Sequence, residues 1–175
     1  KMYYNLSTLS QMDIYLFKQG SYTKMYEKFG ANTMTHNGKN GVHFAVWAPN
    51  AKSVSVRGDF NNYEIDAHPL KLRNDDSGIW EGFIEDVSIG LTYKYHIVSL
   101  FHNIVHEKSD HFAFYSEVAP KSASRIYELD NYKWNDKKWM QKRHKYNAHD
   151  APISVYEMHV GSWRRNPLED NRYLT

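Results

Sequence analysis

The sequence predicts a mainly β protein, a β-sandwich preceded by a short helical segment. Three observations carry that prediction. Residues 41–63, GVHFAVWAPNAKSVSVRGDFNNY, hold two apolar runs of strand period joined by a turn. Further short runs rich in branched and aromatic residues follow at 68–72, 79–84, 91–98 and 102–107. Turn clusters separate them, Asn-Asp-Asp-Ser-Gly at 74–78 and Ser-Ile-Gly at 88–90. Many short strands divided by turns favour a sandwich.

The elements follow in order. Residues 1–9 show little periodicity and read as an extended lead-in. Residues 10–32 read as two short helical pieces. Met12, Tyr15 and Leu16 share one helical face, and Gly20 interrupts. Met25, Tyr26 and Phe29 form a second face, closed by Gly30. Neither piece is long enough to stand alone, so both must dock. Residues 37–41, Asn-Gly-Lys-Asn-Gly, turn the chain into the hairpin. There Val42, Phe44 and Val46 alternate with His43, Ala45 and Trp47, so one face looks inward and the other outward. Pro49 and Asn50 stop that strand, and Val54 and Val56 carry the next. Residues 125–127 are a candidate last strand, and Asn135 is placed to cap a short helix over 136–143. Ile-Ser-Val-Tyr-Glu-Met-His-Val at 153–160 reads as a strand with no partner left in the chain.

Composition narrows the function. The net charge of +2 indicates neither a nucleic-acid footprint nor an acidic partner. No run reaches membrane-span length, so no membrane partner is expected. The chain has no cysteine, which excludes disulfides and thiolate metal sites and points to a reducing, cytoplasmic setting. Aromatic content is high at 15%, with 14 tyrosines. Rings stack on sugars, but they also fill β cores. His102, His106 and His111 are close in sequence, yet they fall in a strand and loop with no accompanying carboxylate set. No metal site is assigned, and no cofactor is expected. Glu81, Glu85, Glu107 and Glu117 show no convergence into a glycosidase pair, and no Gly-x-Ser-x-Gly elbow is present. No catalytic residue is assigned. The basic run at 137–145 lacks a glycine-rich cradle and reads as a solvated linker face.

Binding is better supported. Phe60-Asn61-Asn62-Tyr63 is a polar loop flanked by rings, suited to holding a polar ligand against a ring. Lys94 sits mid-strand as Tyr-Lys-Tyr. Tyr63, Asn61 and Lys94 are therefore the candidate carbohydrate-binding residues. Ordinary loop packing and a solvent-facing strand lysine are the plainer alternatives.

The 41–63 stretch, with SGIWEGFI and LTYKYHIV, resembles the carbohydrate-binding module family 48 domain of the alpha-amylase superfamily. Three further segments resemble 1,4-alpha-glucan branching enzymes of the bacterial glycogen type. They are DIYLFKQGSYTKMYEKFGAN, KSASRIYELDNYKWNDKKWMQKR and ISVYEMHVGSWRR. The likeness implies an immunoglobulin-like sandwich at 37–129, after a helical or extended segment at 1–36. It implies a linker with a short helix at 130–152, and the start of a (β/α)8 catalytic barrel at 153–175. It implies an enzyme that moves α-1,4-glucan segments onto 6-hydroxyls in glycogen biosynthesis. The partners would be α-glucan and the barrel of the same chain. The family's catalytic Asp, Glu and Asp lie on later barrel strands, so these residues alone are expected to be inactive. Relatives carry Trp where Tyr63 stands, and Pro where His111 stands in a Lys-x-Asp-Pro-aromatic-Ala motif. A free-standing glucan-binding or scaffolding module is the alternative, and the 153–165 stretch is what discriminates the two.

Overall fold

A computed structural model describes residues 1–4, 6–130 and 132–174. Asn5 of the lead-in, Asn131 of the linker and Thr175 lie outside the described residues. The chain divides into two compact units, Lys1–Tyr132 and Lys133–Thr175.

The first unit contains β1 (Met2–Tyr3), α1 (Gln11–Lys18), β2 (Gly30–His36), β3 (Lys39–Trp47), β4 (Ala51–Gly58) and β5 (Lys71–Leu72). It continues with β6 (Ile79–Glu85), β7 (Thr92–Ser99), β8 (Val105–Lys108), β9 (Tyr115–Ser116) and β10 (Ser124–Arg125). One sheet runs β1-β6-β3-β2 with β5 also on β6; the other runs β4-β7-β10-β9 with β8 also on β7. All their pairings are antiparallel. The alternation of the sequence explains the facing layers. Val42, Phe44, Trp80 and Ile84 from one sheet meet Val54, Val56, Tyr93 and Tyr95 from the other in one buried cluster. Phe44 and Tyr93 cross edge to face at 5.2 Å. The 68–72 stretch changes sheets. Leu70 N–H donates to Val54 O at 2.8 Å, while Lys71 and Leu72 pair with β6.

The other face of β3 is not open to water, contrary to the inward–outward expectation. His43 and Ala45 are fully buried. The reason is a second core: Leu9, Ile14, Tyr22, Phe29 and Ile79, joined by Leu16 and Phe17, lay the N-terminal segment over the back of the first sheet. Helix α1 opens on a capping box, Ser10 Oγ accepting from Asp13 N and Asp13 Oδ2 accepting from Ser10 N at 2.7 Å. Its docking face is Ile14 with Leu16 and Phe17; Met12 and Tyr15 of the expected face are exposed. The second expected helix reduces to a single 3₁₀ turn, Met25–Glu27. Residues 30–36, expected as the end of the helical or extended segment at 1–36, form an edge strand of the first sheet. The Asn37–Gly38 turn, with φ of 49° and 72°, closes β2 onto β3 as a two-residue hairpin.

The second unit contains α2 (Lys137–Tyr146), α3 (Val160–Trp163), β11 (Arg165–Asn166) and β12 (Arg172–Tyr173). Asp136, not Asn135, takes the N-cap position, and its side chain makes no capping bond. Residues 153–159 form no strand, although one was expected there as the first barrel strand. A strand needs a neighbour to accept its hydrogen bonds, and these residues have none among those described. Ile153 and Val155 are over 80% exposed, at 85% and 83%.

Candidate functional site

The outer face of the second sheet carries an open groove of about 560 Å³. Pairing sets its floor: Arg57 of β4 lies directly opposite Lys94 of β7, both on the face turned away from the core. Thr92, Lys94 and His96 share that face because Tyr93 and Tyr95 take the inward positions. Tyr63 reaches the same groove from the loop after β4.

That loop is built around close approaches. A Cβ on Gly58 would meet Thr92 O at 2.3 Å and the Phe60 ring at 2.7 Å, so only glycine fits. A 3₁₀ turn at Asp59–Asn61 follows, then Asn62 and Tyr63 at φ of 51° and 55°. Asn tolerates the left-handed region; for Tyr it costs on the order of 1 kcal/mol and must be held from outside. Tyr63 N–H donates to Gly58 O at 3.0 Å, and Arg57 Nε donates to Tyr63 O at 2.5 Å. Thr92 Oγ1 donates to Asp59 Oδ2 at 2.9 Å, which leaves it to accept the Tyr63 phenol at 2.6 Å. The ring is half-buried and pinned at both ends.

The three sequence-predicted residues separate. Tyr63 and Lys94 line one groove. Asn61 does not line it. Its amide is used within the loop, accepting from Gly58 N at 2.8 Å and donating to Val56 O and toward His68 Nδ1, each at 2.9 Å. Asn61 therefore shapes the loop that presents Tyr63. Sequence reasoning missed Arg57, Thr92 and Ser122. The alternation of β4 placed Arg57 outward, but only the β4–β7 register puts it beside Lys94. Lys94 Nζ donates to Ser122 Oγ at 2.8 Å.

The electrostatics suit hydroxyl recognition. Arg57, Lys94 and Lys121 are offset by Asp59, Glu107 and Glu117 along the lining. Burial pushes the Tyr63 phenol up, and Asp59 adds to that against the Thr92 hydrogen bond, so the ring stays neutral. Burial alone would lift Glu107, but the His96 hydrogen bond and Arg57 outweigh it and hold the carboxyl low. A carboxylate held ionised in this way has no proton to give a leaving group. Among the described residues no group of three His, Asp or Glu side chains is arranged to hold a metal.

Residues 28–113 match the carbohydrate-binding module 48 family, the isoamylase N-terminal domain. Similarity extends well past those bounds. The 1,4-alpha-glucan branching enzyme GlgB of Aquifex aeolicus is 48% identical over 169 residues, 97% of this chain and 26% of that protein. Along nearly its whole length the chain is similar to branching enzymes. The enzyme of the same name from Albidiferax ferrireducens is 47% identical over 165 residues, 94% of this chain and 25% of its own length. The chain thus spans about a quarter of the length of the curated branching enzymes it matches. Klebsiella pneumoniae pullulanase, solved with maltotriose, superposes with a TM-score of 0.47 at 25% identity, over 59% of this chain and 10% of that one. Arg57, Tyr63 and Lys94 of the groove lie within the matched stretch, while Glu117, Lys121, Ser122 and Ala123 of its lining follow it.

Proposed function

We propose that this chain is the N-terminal part of a 1,4-α-glucan branching enzyme and that its Tyr63–Lys94 groove holds α-glucan. The meeting of Tyr63, from the loop after β4, with Arg57, Thr92 and Lys94 of the sheet face in one groove carries this reading. A glucose unit would lie against the pinned ring. The ammonium and guanidinium would donate to its hydroxyls, and Asp59 and Glu117 would accept from them. The module acts by binding and by positioning the catalytic barrel, for which residues 153–175 supply the first strand. The parent enzyme, cytoplasmic in this reading, transfers α-1,4-glucan segments to 6-hydroxyls; the 175 residues alone do not. Similarity running through 94–97% of the chain, well beyond the module, speaks against a free-standing module.

The test is a titration of the chain with maltotriose and β-cyclodextrin. Lys94→Ala and Tyr63→Ala are expected to weaken binding about tenfold each, roughly 1.4 kcal/mol. Tyr63→Phe, which keeps the ring, should lose less than Tyr63→Ala. Unchanged binding in both alanine variants would move the site elsewhere.

A further inference from the structure

Strand β8 faces two different concavities. Glu107 lines the groove just described, while its neighbours His106 and Lys108 line a separate pocket of about 300 Å³ beside the β3–β4 turn. The floor of that pocket is apolar, with Pro49 and Ile97, and Trp47 stands at its wall. Trp47 is held in one orientation. Its indole N–H donates to Ser77 O at 3.0 Å, and its ring meets Phe17 edge-on at 6.0 Å. It is nonetheless 56% exposed, so a fixed ring offers a free surface.

The ionisable groups of the lining, apart from a tyrosine, are all basic: His106, Lys108 and His111. The Tyr95 hydroxyl is committed to Asp110 at 3.0 Å. Asp110 itself is buried, outside the lining, and saturated by Tyr93, Tyr95 and the Phe112 N–H. The side chains of Lys108, His106 and His111 make no hydrogen bond or ion pair among the described residues, although the neighbouring Asp110 carboxyl interacts with His111 through its charge. Side-chain donors left without hydrogen-bond partners around an apolar floor, in a lining that holds no carboxylate, favour an anion carrying an apolar face. The volume is at the small end for ligand sites, which limits the ligand to about one ring and its anionic group. The glucan groove has the opposite character, because three carboxylates line it.

We propose that this pocket binds a phosphorylated hexose, the ring against Trp47 and the phosphate among His106, Lys108 and His111. The site is distinct from the glucan groove and does not depend on it.

The ¹⁵N-labelled chain is titrated with glucose 6-phosphate, glucose and inorganic phosphate, following the Trp47 indole N–H by NMR. Glucose 6-phosphate is expected to give a saturable shift, with glucose and inorganic phosphate each bound more weakly. Lys108→Ala should weaken glucose 6-phosphate about tenfold or more, as for loss of one charge-assisted hydrogen bond. Its exposed, unpaired side chain leaves the fold intact, and maltotriose shifts near Tyr63 should persist in it. No saturable shift at Trp47, glucose or phosphate alone binding as tightly as the ester, or unchanged affinity in Lys108→Ala would each overturn the proposal.

Discussion

Asp110 accepts hydrogen bonds from three groups that the core cannot otherwise satisfy. Its Oδ2 takes the Tyr93 phenol at 2.6 Å and the Tyr95 phenol at 3.0 Å, and its Oδ1 takes the Phe112 N–H at 2.8 Å. Both rings are fully buried. The same carboxylate closes on Gly30, where φ is +84° and a Cβ would meet Phe112 Cβ at 3.1 Å and Asp110 Oδ2 at 3.3 Å. Burial raises the Asp110 carboxyl above its ordinary value, against the pull of its tyrosine and backbone donors. Its ionisation therefore opposes folding as pH rises through that raised value. Asp110→Ala strands two buried hydroxyls and is expected to cost about 2–5 kcal/mol, whereas Tyr93→Phe, which removes one donor, should cost about 1 kcal/mol. Urea unfolding of the two variants checks the ordering. A smaller loss in Asp110→Ala than in Tyr93→Phe would show that the carboxylate is not the centre of this arrangement.

At the level of elements, the sequence was readable where one face of a strand is apolar and a turn bounds it. β3, β4, β6 and β7 are at the expected places for that reason. β2 was missed because Ala31, Asn32, Thr33 and Met34 carry little strand signal, although the Asn37–Gly38 pair that closes its hairpin was in view. The phase of α1 was misread because eight residues offer two overlapping apolar faces, and what selects between them is distant: Ile79 and Phe29. The groove was half legible. Tyr63 and Lys94 could be named, but Arg57 and Ser122 become neighbours only through pairing and loop closure. His43 and Glu81 illustrate the same limit, since a polar pair on an outward face became buried when the lead-in covered it. Glu81 accepts from Arg73 at 2.6 Å and Ser7 at 2.9 Å, and lies 3.5 Å from His43 Nε2, an ion-pair distance without a formed hydrogen bond. Burial alone would raise Glu81, but His43, Arg73 and Ser7 together hold it below its ordinary value. A lowered acid contributes stability above its unfolded pKa and loses it as pH falls through the folded one. Glu81→Gln should therefore cost about 1–3 kcal/mol at pH 7 and show a shallower loss of stability on acidification below the ordinary glutamate range. Unfolding curves at neutral and acid pH compare the two proteins, and parallel pH dependence would remove Glu81 as a source of acid sensitivity.

At the scale of the whole chain, the two units differ in how they hold their apolar residues. Lys1–Tyr132 buries its strands in two cores, while Ile153, Val155 and Tyr156 of the second unit are 85%, 83% and 71% exposed. Branched and aromatic residues in a row have high strand propensity, and without a neighbouring strand they gain neither hydrogen bonds nor burial. In the reading proposed above, further barrel strands supply both. Hydrogen exchange on this chain should then show fast exchange at Val155, Tyr156 and Met158 and slow exchange at Val42, Phe44 and Val46. A longer chain of the same protein, extended to the length of its relatives, should protect the first set as well. An iodine–amylose assay adds the functional half: the short chain should leave the stain unchanged and the extended one should alter it. Equal protection of 155–158 and 42–46 in the short chain would mean that this segment already has a partner within it, and the assignment of 153–175 to an unfinished barrel would fail.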